Sequence, residues 1–252
     1  QDISLIWHSF KISIRAVEMI ERPQKAMVVT PHPDDAEIGC GGTIAKWVAD
    51  GTEVVYVLCT NGDKGSSDLH MTSKKLANIR EKEQSLAAHA LGIKEVIYLR
   101  YPDGGLEDTA KFREQITKAL RIHRPDIVFC TDPFKQTFYM HRDHRISGQV
   151  TLDAVFPYAR DHLNYPEHLN EGLMPHKVGD VLMWGTDKPD TFIDISGTLD
   201  QKTNALKKHA SQVSTDGSEG DAGDFIKSNA RRVGENTGMA YAEAFRRIQF
   251  RR

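Results

Sequence analysis

Twelve residues constrain this chain more than any others: PHPDDAEIGCGG, Pro31 to Gly42. They follow a short apolar run, residues 26–30, that reads as a buried strand, and they precede a helical pattern over about 42–50. His32, Asp34 and Asp35 can each bind a metal or carry a proton. This order places them in a turn at the carboxyl end of a strand, which is where open α/β sheets bind ligands. Pro31 and Pro33 stiffen the turn by fixing φ and removing two donors. Gly39, Gly41 and Gly42 are expected to let the backbone approach whatever is bound.

The rest of the chain alternates in the same way. Apolar runs at 53–59, 95–99 and 126–130 read as further strands, separated by helical patterns at 73–91 and 109–123. This predicts an α/β, Rossmann-like, doubly wound and mostly parallel sheet with helices on both faces. Loops at 61–67 and 102–105 fall on the same rim as the central turn. Residues 1–22 carry apolar side chains at near-helical spacing, as a docking amphipathic helix would. Beyond Cys130, His141 opens a helical pattern to about Val155, and 160–178 is irregular. Residues 181–184 and 191–195 read as a hairpin around Lys188-Pro189. Ser196 is placed to cap a helix through Lys208. A Gly-, Asp- and Ser-rich loop spans 214–224, and a last helix covers 225–247. No repeat or second boundary interrupts 1–252, so one domain is expected, with its motif-bearing core at about 24–155 and C-terminal elements at about 179–250.

Composition narrows the function classes. The 252 residues are 39% hydrophobic and 27% charged, the balance of a globular protein with a real core. A formal net charge of -2 leaves no basic footprint for nucleic acid. No run approaches 18 uncharged apolar residues, so no membrane span is expected. Three cysteines, an odd number, point to reduced thiols and a cytoplasmic location. Cys40, although beside the central turn, lacks any ligand spacing and reads as packing.

The second informative stretch is His141-Arg-Asp-His144. Residues i and i+3 at a helix start face the same way, so His141 and His144 meet at the carboxyl edge of the sheet, within reach of His32 and Asp35. Two histidines, one carboxylate and an open position form the ligand set of a catalytic zinc site, and such donors also suit Fe²⁺ or Co²⁺. Alone, Asp34-Asp35 would be a solvated turn and His141–His144 a capped helix start. Together on one rim they argue for a metal. Other readings fail on particular residues. A dinucleotide fingerprint needs glycine where Ile44 stands and an acid where strand two ends in Cys59-Thr60. A kinase His-Arg-Asp loop lacks its glycine-rich loop and Asp-Phe-Gly. A metal binder without activity would not need both Asp34 and His141.

With Pro31-His-Pro-Asp-Asp-Ala-Glu37 and His141-Arg-Asp-His144 in place, the chain resembles the LmbE-like, or PIG-L-like, zinc-dependent deacetylases of N-acetylglucosamine derivatives. The resemblance runs from about 24 to 155 and more loosely beyond. It implies an LmbE-like fold and hydrolysis of an N-acetyl group on a small sugar or related amide. The runner-up within the fold is an amidase of thiol conjugates. It implies His32, Asp35 and His144 as zinc ligands and Asp34 as general base. His141 would be the second proton carrier or oxyanion stabiliser, and Asp143 the group that orients a histidine. Arg80 matches an arginine near the substrate, against the plainer reading of a surface ion pair with Glu83 or Gln84. Tyr139 matches a tyrosine near the oxyanion in some members. Members are often homo-oligomers, many of them hexamers. Arg142 departs from the proline common in the second motif.

Overall fold

The structure, a computed structural model, describes residues 20–137, 139–213, 221–235 and 237–250. Five strands alternate with helices: β1 (Lys25–Thr30), α1 (Asp35–Ala49), β2 (Glu53–Thr60), α2 (Ser73–Ala90), β3 (Glu95–Tyr101), α3 (Ala110–His123), β4 (Ile127–Thr131), α4 (Arg142–Asp153), α5 (Glu167–Asn170) and β5 (Asp180–Trp184). Then come β6 (Thr191–Asp194), α6 (Leu199–Leu206), α7 (Ala222–Glu235) and β7 (Ala242–Gln249). They form one seven-stranded sheet in the order β3-β2-β1-β4-β5-β7-β6. The first five strands are mutually parallel, and β7 runs antiparallel to β5 and β6. The chain winds outward from β1 to β3, then returns to start again at β4 on β1's other side. The switch point therefore lies between β1 and β4, and the two motifs follow these two strands.

Period-two alternation in β1 feeds two cores. Met27 and Val29 face a layer with Phe112, Ile116 and Leu120 of α3 and Val150 of α4. Ala26 and Val28 face Ile44 and Trp47 of α1. A smaller cluster joins Leu199 and Leu206 of α6 to Ile226 and Ala230 of α7. Thr109 caps α3 and Thr72 caps α2 through their hydroxyls, at 3.1 and 3.2 Å.

Four expectations need correction. Helix α1 begins at Asp35, not near 42, so Asp35 is its first helical residue. The position expected to start it has its own peculiarity: the Gly42 and Thr43 N–H groups donate to the Glu243 carboxylate at 2.9 and 2.8 Å. Lys202 pairs with that carboxylate and donates to Ile38 O at 2.7 Å. β5 and β6 are not a hairpin, because β7 lies between them. The expected last helix is α7 followed by β7: Gly238 turns the chain at φ +75°, and pairing with two strands overrides the helix-forming residues at 240–247. Ser196 does not cap α6; its hydroxyl donates to Asp194 at 2.6 Å. The expected helix over 1–22 lies almost wholly outside the described residues, as does 214–220 of the expected loop. Cys40, Cys59 and Cys130 are free and buried, as read. No helix among the described residues is long and apolar enough to cross a membrane.

Candidate active site

Between β1 and α1 the backbone is strained at one residue. Asp34 has φ +90°, and its carbonyl accepts Ile38 N–H at 3.0 Å. A non-glycine residue there is costly and concentrates at functional sites. The conformation leaves the Asp34 side chain making no cap bond to the helix it precedes. It instead meets Arg80, whose guanidinium is buried rather than on a helix surface. Arg80 Nη2 donates to Pro33 O at 2.8 Å and Asp34 Oδ2 at 3.3 Å, and Nη1 donates to Gly62 O at 3.2 Å. A methyl on Gly62 would stand 2.8 Å from the guanidinium, and its φ is +59°, so both space and backbone call for glycine.

His32 and Asp35 close the other side of the turn. Asp35 Oδ2 accepts His32 N–H at 3.1 Å and lies 3.0 Å from His32 Nδ1 and 3.1 Å from His144 Nε2. The last contact lacks hydrogen-bond geometry, so His144 Nε2 is buried with no partner among the described residues. An orphaned ring nitrogen beside a carboxylate oxygen is what two ligands of one ion present, and buried polar atoms are otherwise almost always paired. Ring nitrogens of His32, His141 and His144 lie within 4.8 Å of one another. The donor set thus fits a divalent cation with nitrogen and oxygen ligands.

The far side of His32 is held by carboxylates. Its Nε2 lies 3.1 Å from Asp143 Oδ2 and 3.2 Å from Asp103 Oδ1. Asp143 is fully buried and accepts Gly104 N–H at 2.7 Å and Leu106 N–H at 3.2 Å. Asp103 was not singled out from the sequence. Its signal was the Pro102-Asp-Gly-Gly105 turn on the rim. Arg142 does not disturb the second motif: it is the first residue of α4, and His141 caps that helix by accepting Asp143 N–H on Nδ1 at 3.1 Å. His141 Nε2 is left for other work. Tyr139, at φ +52° and mostly exposed, sits edge-on to His144 with ring centroids 5.5 Å apart.

Electrostatics divide the two neighbouring aspartates. Burial, reinforced by Asp35 next to it and opposed by Arg80, pushes Asp34 up to about 7. Burial acts on Asp35 in the same sense, but His144 and His32 outweigh it and hold Asp35 far below the usual carboxylate range. Burial pulls His32 down, yet Asp103, Asp143 and Asp35 together push it up to about 12. Burial, then His32 and His144, lower His141.

Asp34, Asp35, Tyr139, His141 and His144 open on one cleft of about 520 Å³, with His32, Arg80, Asp103 and Asp143 behind them. Asp34, Asp35, His141 and His144 line one end, and Ile38, Trp184, Val213 and Phe225 give it an apolar wall.

Comparison with known proteins agrees with this geometry. Residues 27–155 match the GlcNAc-PI de-N-acetylase family, PIG-L. The chain is 34% identical over 236 residues to the diacetylchitobiose deacetylase of Thermococcus kodakarensis, covering 94% of this chain and 87% of that one.

This chain belongs to the PIG-L family.

A solved PIG-L-like structure, N,N'-diacetylchitobiose deacetylase from Pyrococcus horikoshii with its inhibitor MPG, superposes with a TM-score of 0.84 at 34% identity, over 90% of this chain and 84% of that one. The mycothiol S-conjugate amidase of Streptomyces coelicolor is 29% identical over 166 residues, 57% of this chain and 55% of that one. PIG-L membership accounts for the LmbE-like resemblance and the doubly wound sheet. In the glycine run, Gly39 and Gly42 are required by packing. A methyl on Gly39 would stand 2.4 Å from the Trp184 ring, and one on Gly42 2.8 Å from Ile195.

Proposed function

We propose that this hydrolytic deacetylase removes the N-acetyl group from an N-acetylglucosamine-type sugar, with His32, Asp35 and His144 holding a divalent ion, zinc by preference. The observation that carries the reading is the convergence of Asp34, Asp35, His141 and His144 on one cleft at the sheet's switch point. When bound, the ion supplies a more acidic water and a Lewis acid for the amide oxygen. Every other step belongs to side chains. Asp34, basic near neutrality and held by Arg80, takes the proton of the attacking water. His141, whose Nδ1 accepts from the α4 backbone, carries its proton on Nε2 and donates it as a hydrogen bond to the developing oxyanion, and Asp34 then passes the proton it took from water to the leaving amine. Asp143 accepts from His32 Nε2 and so turns Nδ1 towards the cation, the usual task of a carboxylate behind a ligating histidine. Arg80 and Asp103 lie behind the cleft, Arg80 on Asp34 and Asp103 on His32.

The relatives favour a sugar over a thiol conjugate: the deacetylase match spans most of both chains, the amidase match little more than half. The test is an assay of the metal-loaded protein on N-acetylglucosamine, diacetylchitobiose and a mycothiol-type thioether, with free amine as the readout. Release from a sugar supports the proposal. Turnover of the thioether alone moves the assignment to the amidase, and turnover of none removes it.

A further inference from the structure

The cleft has one wall whose construction the reaction does not explain. Gln212 and Val213 line it together with His141 and His144. Their positions are set by His209, whose carbonyl accepts Gln212 N–H at 2.9 Å and Val213 N–H at 3.1 Å. His209 itself is fully buried beneath the cleft. Its Nε2 lies 3.4 Å from Glu37 Oε2, and neither ring nitrogen has a hydrogen-bond partner among the described residues. Glu37 is also fully buried and accepts Gln84 Nε2–H at 3.0 Å.

Sequence spacing shows what this cluster is. Gln84 lies four residues after Arg80 on α2, one turn along the same face, and Glu37 lies in the first turn of α1, just after Asp34. Asp34–Arg80 is thus one rung between the two helices and Glu37–Gln84 the next, and His209 locks onto the second. A surface anchor doubles the first: Ser211 donates to Glu83 from its N–H at 2.9 Å and from its hydroxyl at 2.6 Å. Just after the anchors, the Gln212 amide donates to Ser211 O at 3.0 Å. Its Oε1 lies only 3.6 Å from where a methyl on Gly65 would stand, so it reaches the loop after β2. An aliphatic side chain would fill position 209 at lower cost than an imidazole with both nitrogens unpaired. The polar lock buys position for the wall, not stability.

We infer that residues 209–213 form a substrate-positioning wall, fixed to the catalytic helices through Glu37–His209 and Glu83–Ser211, and that Gln212 on it contacts the part of a disaccharide beyond the reacting N-acetylglucosamine. This rests on the sugar-deacetylase reading of the same cleft. Gln212 is the specificity-determining residue; His209 and Ser211 act through it as positioning residues.

The experiment measures diacetylchitobiose and N-acetylglucosamine side by side on the metal-loaded protein. Calorimetry gives Kd, and amine release gives kcat and KM. Gln212→Ala should weaken the disaccharide about 10-fold in Kd and KM, the scale of one lost hydrogen bond. The monosaccharide, which on this inference ends short of Gln212, should change less than about twofold. Ser211→Ala and His209→Gln should act in the same direction, on KM rather than kcat, with unchanged metal content by elemental analysis. Ser211 is at the surface, so its variant decides the matter even if His209→Gln does not fold. An unchanged disaccharide-to-monosaccharide ratio in Gln212→Ala overturns the inference, as does a wild type that binds no disaccharide. A fall confined to kcat in Ser211→Ala overturns the positioning role. If the wild type binds disaccharide without cleaving it, the deacetylase reading fails and the wall is still judged by Kd.

Discussion

Arg80 Nη2 stands 3.3 Å from Asp34 Oδ2 and 2.8 Å from the carbonyl of Pro33, the residue before it. One guanidinium therefore stabilises both the charge on the proposed base and the strained turn that presents it. The base must be ionised to act, so activity is gained as pH rises through the Asp34 pKa. Burial and Asp35 raise that pKa, and Arg80 lowers it. Arg80→Met removes the cation, favours the protonated acid and moves the acidic limb of the kcat/KM profile to higher pH by about 1 unit or more. A bound ion acts on Asp34 in both proteins, so their difference isolates Arg80. A limb at the same pH in both shows that Asp34 is not the group being titrated.

Asp143 offers a test of the histidine behind the cation. Asp143→Asn keeps the size of the side chain but loses the charged acceptor for His32 Nε2–H. Metal affinity, measured by competition with a chelator, should fall about 10- to 100-fold. Full affinity in this variant would free His32 from any dependence on Asp143.

The glycine run separates packing from propensity. Gly39→Ala drives a methyl into the Trp184 ring at 2.4 Å, and overpacking of this kind costs about 1–3 kcal/mol. Gly41→Ala meets nothing closer than Lys202 Cγ at 3.4 Å, an ordinary contact, and gains helix propensity of up to about 1 kcal/mol. Thermal unfolding should therefore move down for the first and stay level or move up for the second. Equal losses would mean that α1 accepts a side chain at neither position.

How much of this was legible depended on how local each signal is. Strands β1 to β4 and the helices between them are written in apolar runs and caps, so the sheet and the placing of His32, Asp34, Asp35, His141 and His144 on one rim followed from sequence. β7 was not legible. Its residues, Ala-Glu-Ala-Phe-Arg-Arg-Ile-Gln, are mostly good helix formers, and only pairing with β5 and β6 makes them a strand. The start of α1 was hidden because Asp34 takes a left-handed φ that a sequence reading assigns to glycine. The glycines were assigned to a ligand because the residues they accommodate, Trp184 and Ile195, lie some 150 residues away, as the sequence numbers show. Asp103 sat in a turn with no pattern of its own, and its role appears only where β3 ends beside β1's turn.

Asp34 and Asp35 are neighbours with opposite electrostatic fates, and this gives the decisive pair of variants. Asp35 touches both His32 and His144, which hold it far below the usual carboxylate range, as the proposed ligand requires. Asp34 touches Arg80 and is pushed up to about 7, as the proposed base requires. Asp34→Asn keeps the shape and loses the basic oxygen. It should retain metal and lose about 10²- to 10⁴-fold in kcat, the scale of general-base catalysis. Asp35→Asn removes a charged donor between two histidines and should weaken metal binding first, so that excess metal restores part of its activity. Metal titrations of the two variants, read by elemental content and by kcat, separate the roles. If excess metal rescues Asp34→Asn, or if that variant keeps near-normal kcat, the proton is taken elsewhere. His141 is then the first candidate for the base, and to serve it must give up the Asp143 N–H on Nδ1 and carry its proton there instead.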